Sequence, residues 1–274
     1  MLDNFESISA TAILTSYPRM FTDIPYESKI YEWLKKNGKE NMALDKMLAP
    51  EIEARYKLTN RLLEKSKIKQ VLELAAGYSS RGIIYAKKGY NYIEMDLEGV
   101  SKNKKKIINY IGEEIKNLHI VNGNALYRKD YDKCEKYFNK NEEVAIINEG
   151  LLRYLTFEEK KAVAKNIYNV LKKYNGIWIT CDVTPKKFIQ KQENYLPQFN
   201  TNLSKITSRN NLKDRFEDIN HIKEFFGDIG FKSIQVHKFI EIKEFLSSFS
   251  ILNIPKNRMD EVLEEAIIAI MKIE

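Results

Sequence analysis

The sequence is poor in the residues that staple or interrupt a chain. Its 274 residues include two cysteines, six prolines and eleven glycines. Cys134 and Cys181 lie far apart and in no CxxC pattern. This speaks against a disulfide framework and suggests a reducing, cytoplasmic setting. With three histidines and no HExxH, no metal is expected. The low glycine and proline content excludes collagen-like and most low-complexity chains. Long apolar runs are also missing. The longest, Ala266–Met271, has six residues, against the ~20 that a spanning helix needs. The opening segment Met1–Ser7 (MLDNFES) has neither a basic nor an apolar signal region, so no secretory signal is read. No membrane partner is expected.

What is present describes a folded chain. Hydrophobic residues make up 43% and aromatic residues 11%, which argues against general disorder. The length suggests one large domain, or one domain with an appendage. A chain of this size buries roughly three quarters of its unfolded surface. The net charge of +7 comes from 45 basic and 38 acidic residues spread along the chain, the pattern of solvated faces. The densest basic run, Lys102–Lys106, opens a predicted helix and is read as surface.

The order of elements divides the chain into stretches. Residues 1–69 read as a helical cap, with apolar residues at helical spacing in Tyr26–Lys36 and again from Pro50 to Lys65. Residues 70–183 alternate short apolar runs with longer amphipathic ones. Strands are predicted at Gln70–Leu74, Asn91–Asp96, Leu118–Asn122, Val144–Asn148 and Gly176–Asp182. Helices are predicted at Ser79–Lys88, Lys102–Asn117 and Phe157–Lys172. This rhythm predicts an α/β fold, a Rossmann-like and mostly parallel sheet with helices on both faces. Residues 184–218 have no clean period and form either a cover over a site or a plain surface insertion. Residues 219–274 return to the same sheet, with a helix at Ile219–Gly227, a strand at Lys232–Phe239, a helix at Asn257–Glu265 and a closing strand at Ala266–Ile273.

Three consecutive strand ends carry polar groups. The first strand ends in Glu73, followed by the small-residue turn Ala75–Gly77 and a helix that Ser79 or Ser80 can cap. The second ends in Asp96, nineteen residues after Gly77, near where an acid accepting ribose hydroxyls sits in such sheets. After the third comes Asn124, placed to bond a base edge. Ligands of open α/β sheets lie beyond these carboxyl ends. The turn has only Gly77 and Gly82, short of the G-x-G-x-x-G of a dinucleotide site. Ile83 and Ile84 follow Gly82 where a Walker loop needs Lys and Ser or Thr. A nucleoside ligand without phosphates fits better.

At this point the sequence resembles the class I S-adenosylmethionine-dependent methyltransferases. Within them it resembles the leucine carboxyl methyltransferase group, which includes tetracenomycin-type polyketide O-methyltransferases. The resemblance rests on Ser9–Arg19 (SATAILTSYPR), Glu53–Arg55, Glu73–Gly82, Glu94–Asp96, Asn124-Ala125 and Asn148–Leu155 (NEGLLRYL). It implies a seven-stranded sheet with the last strand antiparallel, and S-adenosylmethionine as cofactor. It also implies that Arg55 pairs with the methionine carboxylate, and that Ala75 and Gly77 pass under the methionine part. Asp96 would hold the ribose, Asn124 and Ala125 the adenine, and Glu149 the methionine ammonium; Glu73 joins this cofactor-binding set. The chain departs from the pattern at Ala75, usually glycine, at Ser79, often acidic, and at Asn124, usually aspartate. It has no basic residue near Thr11.

Methyl transfer to oxygen needs alignment of donor and acceptor, and a base only where the acceptor is not already ionised. His237 falls in a strand and His221 at a helix start, so bases look scarce. That favours a carboxylate or an already acidic hydroxyl. Arg153 and Tyr154, directly after the fourth strand, are the catalytic candidates: Arg153 to orient a carboxylate, Tyr154 to donate to the acceptor. Asn148-Glu149 replaces the segment typical of nucleobase N-methylation. The expected function is an O-methyltransferase acting on a hydroxyl or carboxylate of a small molecule. The competing reading is a cofactor-binding module without transferase activity that engages RNA or a protein through Lys186, Lys187, Lys191, Lys205 and Arg209. No stacking pattern of aromatics accompanies those residues. The oligomeric state stays open.

Overall fold

The computed structural model describes residues 6–38, 45–197 and 214–274. The chain begins with helices α1 (Glu6–Arg19), α2 (Glu27–Lys36) and α3 (Ala49–Ser66). Pro50 sits in the first turn of α3, where its missing N–H costs nothing. Ala54, Leu58, Leu62 and Leu63 recur at helical spacing and are buried against the sheet.

The sheet follows as β1 (Gln70–Leu74), β2 (Asn91–Asp96), β3 (Leu118–Asn122), β4 (Val144–Asn148), β5 (Gly176–Thr180), β6 (Ser233–Lys238) and β7 (Ile267–Lys272). Its order is β3-β2-β1-β4-β5-β7-β6. Strands β1 to β5 are parallel, and β7 runs antiparallel between β5 and β6. This is a Rossmann-like architecture, with the last strand reversed as expected. Every residue of β1 and β4 is buried, as two-sided coverage requires. Leu72, Leu74, Ile146 and Trp178 face one layer of helices, α6 (Arg128–Glu135), α7 (Phe157–Tyr174) and α9 (Ile219–Gly227). Val71, Ala145, Ile147 and Ile179 face α3 on the other side, the alternation of a pleated strand.

Several boundaries differ from the sequence reading. Helix α5 is Glu98–Ile111, not Lys102–Asn117. It ends because Gly112 takes the left-handed conformation at φ 78° and closes the last turn. The basic run inside it is not all surface. Lys104 is 1% exposed and pairs with Glu94 of β2 at 3.1 Å. Part of the aperiodic stretch forms a helix, α8 (Lys186–Tyr195), while residues 198–213 of that stretch lie outside the described residues. Helix α6 went unread, and the helix predicted at Asn257–Glu265 is a 3-10 turn, Lys256–Met259, followed by a short α-helix, Asp260–Glu265. Neither serine caps helix α4 (Arg81–Lys87) in the expected way. Ser80 at its N-cap makes no side-chain cap bond, and the Ser79 hydroxyl accepts the Arg81 N–H at 3.2 Å.

Among the described residues no helix is long and apolar enough to cross a membrane. Nor do three or more His, Cys, Asp or Glu gather there as a metal site would require.

Candidate active site

One cavity lies over the carboxyl ends of β1 to β4, roofed by α1 and the start of α3. All ten residues singled out from the sequence line it: Arg55, Glu73, Ala75, Gly77, Asp96, Asn124, Ala125, Glu149, Arg153 and Tyr154. So do Arg19 of α1 and Glu51 of α3, which sequence reasoning missed.

The turn after β1 is shaped by two left-handed residues. Ala75 holds φ 51° and Gly77 φ 57°, and a Cβ at Gly77 would stand 3.4 Å from the Ala12 Cβ of α1. Backbone is therefore exposed to the cavity just where α1 closes over it. The N-terminus of α4 could cradle a phosphate in principle, but its groups are engaged. The Ser80 N–H donates to Glu27 Oε1 at 2.9 Å, and the buried ammonium of Lys104 binds the Ser79 carbonyl.

Asp96 accepts the Gly77 N–H at 2.7 Å through Oδ2 and the Leu97 N–H at 2.7 Å through Oδ1. Burial pushes its carboxyl up to about 6 against the pull of these two N–H bonds. Asn124 is fixed by its own turn. Its Oδ1 accepts the Leu126 N–H at 3.0 Å, and its backbone N–H donates to Asp130 Oδ2 at 2.8 Å. The Asn124 amide nitrogen is thus the side-chain group left to face a base.

Glu73 lines the cavity but is already engaged. Its carboxylate is taken by the buried Arg81 guanidinium and by the Tyr92 hydroxyl at 2.7 Å. Arg81 bridges on to Glu149 at 2.9 Å and stacks over Tyr56 at 4.5 Å. Glu73 therefore positions Arg81, which in turn positions Glu149. Burial raises the Glu149 carboxyl, but Arg81, Arg55 and Arg19 together outweigh burial and hold it below the usual range. Arg81 was legible only as a helix residue, because its partners come from β1 and from the loop after β4.

Arg19 and Arg55 are both less than a tenth exposed. Arg19 Nε and Nη1 and Arg55 Nε are buried without a hydrogen-bond partner, although Arg19 lies 3.6 Å from Glu27. Unpaired buried guanidinium donors are costly, and an anionic ligand group would satisfy them. Two cations beside Glu149, an acid at the ribose position and an Asn at the third strand end suit a nucleoside with a zwitterionic amino-acid tail. The residues present therefore fit S-adenosylmethionine.

The loop after β4 is held by Asp182, just beyond β5. Its carboxylate accepts the N–H groups of Gly150, Leu151 and Leu152 at 2.8, 2.7 and 3.1 Å, and the Asn148 amide at 2.6 Å. Asp182 thus presents Arg153 and Tyr154 to the cavity. Arg153 Nε and Nη2 are also buried without a partner. The lysines that suggested a nucleic-acid surface are paired with acids: Lys186 with Glu217, Lys187 with Glu265 and Lys191 with Glu261. Lys205 and Arg209 lie outside the described residues.

The sequence model of the leucine carboxyl methyltransferase family matches residues 22–168, more than half of the chain. No curated protein matches the sequence. Among solved structures, a putative methyltransferase from Thermobifida fusca superposes with a TM-score of 0.57 at 11% identity, covering 94% of each chain. The methyltransferase domain of bacterial CtHen1 superposes with a TM-score of 0.51 at 13% identity, covering 80% of this chain and 98% of that one. At these identities the likeness is one of fold. The family match, joined to a cavity that fits S-adenosylmethionine, makes this chain a member of the leucine carboxyl methyltransferase family with S-adenosylmethionine as its cofactor.

Proposed function

We propose that this methyltransferase transfers its methyl group to oxygen, a hydroxyl or a carboxylate, of a small molecule. The observation that supports this most is the continuity of the cavity. One cavity is lined both by Gly77, Asp96 and Asn124 and by Leu14, Leu48, Ile52, Arg153 and Leu155. Apolar walls with one cation suit a small anionic acceptor. Ion pairing of Lys186, Lys187 and Lys191 weighs against a nucleic-acid surface built on them.

In this reading Asp96 accepts the ribose hydroxyls and Asn124, with Ala125, meets the adenine. Arg55 and Arg19 hold the methionine carboxylate and Glu149 takes its ammonium. When bound, the cofactor supplies a methyl group on a sulfonium, an electrophile that needs no metal. Arg153 orients the acceptor's anionic group and Tyr154 donates to the acceptor, so the reacting atoms are brought in line. Residues 1–69 serve as the cap, residues 70–183 as the cofactor-binding core, residues 184–218 as a cover and residues 219–274 as the completion of the sheet.

Calorimetric titration with S-adenosylhomocysteine, with NAD as control, tests the cofactor end. A screen of small aromatic acids with labelled methyl donor then tests the acceptor end. Binding of S-adenosylhomocysteine without methylation of any small molecule counts against this reading.

A further inference from the structure

Two buried carboxylates among the described residues, Glu53 and Glu73, are heavily engaged. Glu53 accepts the Ser247 N–H and hydroxyl and the Ser248 N–H, and pairs with Lys57 at 2.7 Å. Glu73 has Arg81 and Tyr92. Glu51, only 4% exposed, is different. Among the described residues its carboxylate receives one hydrogen bond, from Gln192 Nε2 to Oε2 at 2.6 Å, and has no cation within 4.0 Å. A buried carboxylate so thinly paired costs stability. Glu51 lines the cavity together with Arg55, one helical turn further along α3 on the same face, and with Arg153.

We propose that Glu51 is the general base of the transfer and that the acceptor is a small hydroxy acid, its anionic group held by Arg153 and its hydroxyl directed at Glu51. The proposal rests on the O-methyltransferase reading and narrows it. A carboxylate acceptor is already ionised and needs no base; a phenol or enol does. The groups facing Glu51 are Arg55 on its own helix, Arg153 after β4, and Gln192 and Tyr195 on α8. Burial raises its carboxyl, and Arg153, Gln192 and Arg55 restrain the rise. In the reaction the hydroxyl proton passes to Glu51 as the oxygen's electron pair forms the new bond to the methyl carbon. The carbon–sulfur pair returns to sulfur. The sulfonium and carboxylate charges disappear together, which favours the step in an apolar cavity.

Two measurements test this, both on the full chain loaded as described. First, infrared difference spectra of wild type against Glu51→Gln, with S-adenosylhomocysteine bound, are followed from about pH 5 to about pH 9. The expected result is an ionised Glu51 at neutral pH. A protonated carboxyl band persisting to about pH 9 overturns the proposal. Second, labelled methyl donor is given with the hydroxybenzoates and, separately, with the matching methoxybenzoates. Ether-linked label from the hydroxybenzoates alone is expected, with kcat falling about 10²- to 10⁴-fold in Glu51→Gln and partly rescued in Glu51→Asp. S-adenosylhomocysteine affinity should stay at the wild-type value in both variants. Ester label from both sets, an undiminished kcat, or no label while S-adenosylhomocysteine binds normally overturns the assignment. Failure of the wild type to bind S-adenosylhomocysteine would instead remove the broader reading.

Discussion

The Gly77 backbone N–H donates to Oδ2 of Asp96 across 2.7 Å, tying the turn after β1 to the end of β2. One carboxylate thereby fixes the turn backbone, and in the proposed reading its remaining lone pairs accept the ribose hydroxyls. Asp96→Ala should weaken S-adenosylhomocysteine binding by more than about tenfold, roughly 1.4 kcal/mol, with the fold intact by circular dichroism. Unchanged affinity on a folded variant would remove Asp96 from the site.

The same residue predicts a pH dependence. Its carboxyl is raised to about 6 by burial, and only the ionised form has full acceptor capacity for two ribose hydroxyls. S-adenosylhomocysteine affinity should therefore fall as pH drops through about 6. Asp96→Asn should bind weakly and without that inflection. Calorimetry across the range checks both; an inflection that survives in Asp96→Asn belongs to another group.

Arg55 is expected to act at the methionine end alone. Arg55→Ala should lower S-adenosylhomocysteine affinity while adenosine affinity stays the same. Equal losses for the two ligands would mean that Arg55 supports the whole cavity instead.

Arg81 is fully buried between Glu73 and Glu149. Arg81→Met leaves Glu73 without its cation and Glu149 with only the more distant Arg55 and Arg19, and removing one partner of a buried pair costs about 3–5 kcal/mol. Denaturant unfolding should show a loss of that order. A loss under about 1 kcal/mol would mean that water or a neighbour already compensates the acids.

Ala75 holds a left-handed φ of 51°, a conformation that costs an alanine roughly 1–2 kcal/mol. Ala75→Gly should relieve most of this and raise the melting temperature, less the small entropic cost of a freer unfolded chain. A lower melting temperature would show that the Ala75 methyl contributes packing worth more than the strain.

Much of this architecture was legible because the physics is local. The strands β1 and β4 are short, mostly apolar runs between turn signals, and they begin and end where the sequence placed them. The strand-end acids and Asn124 were legible because strand, turn and helix recur at fixed spacing. Lys104 was readable in principle: it shares the buried stripe of Val100, Ile107 and Ile111 at helical steps, but the surrounding lysines masked it. Glu51 looked like an ordinary first-turn acid after Pro50, favourable to the helix dipole wherever it points. What sets it apart, a single hydrogen bond to its carboxylate among the described residues and the presence of Arg153 in the same cavity, depends on contacts across the fold. Arg81 and Asp182 were hidden for the same reason. Each satisfies groups brought near only when the sheet is assembled.

The reversed strand β7 lies between β5 and β6, and β6 pairs with nothing else in the sheet. Chain synthesis therefore delivers the two neighbours before the strand that joins them. A nascent chain that has passed residue 238 carries a β6 with no ladder to enter and a β5 with one open edge. Both wait until residues 267–272 have left the ribosome. Assembly of this side of the sheet is a late, non-local event. A stall or truncation before Ile267 would expose two strand edges at once, a state prone to pairing between chains rather than within one.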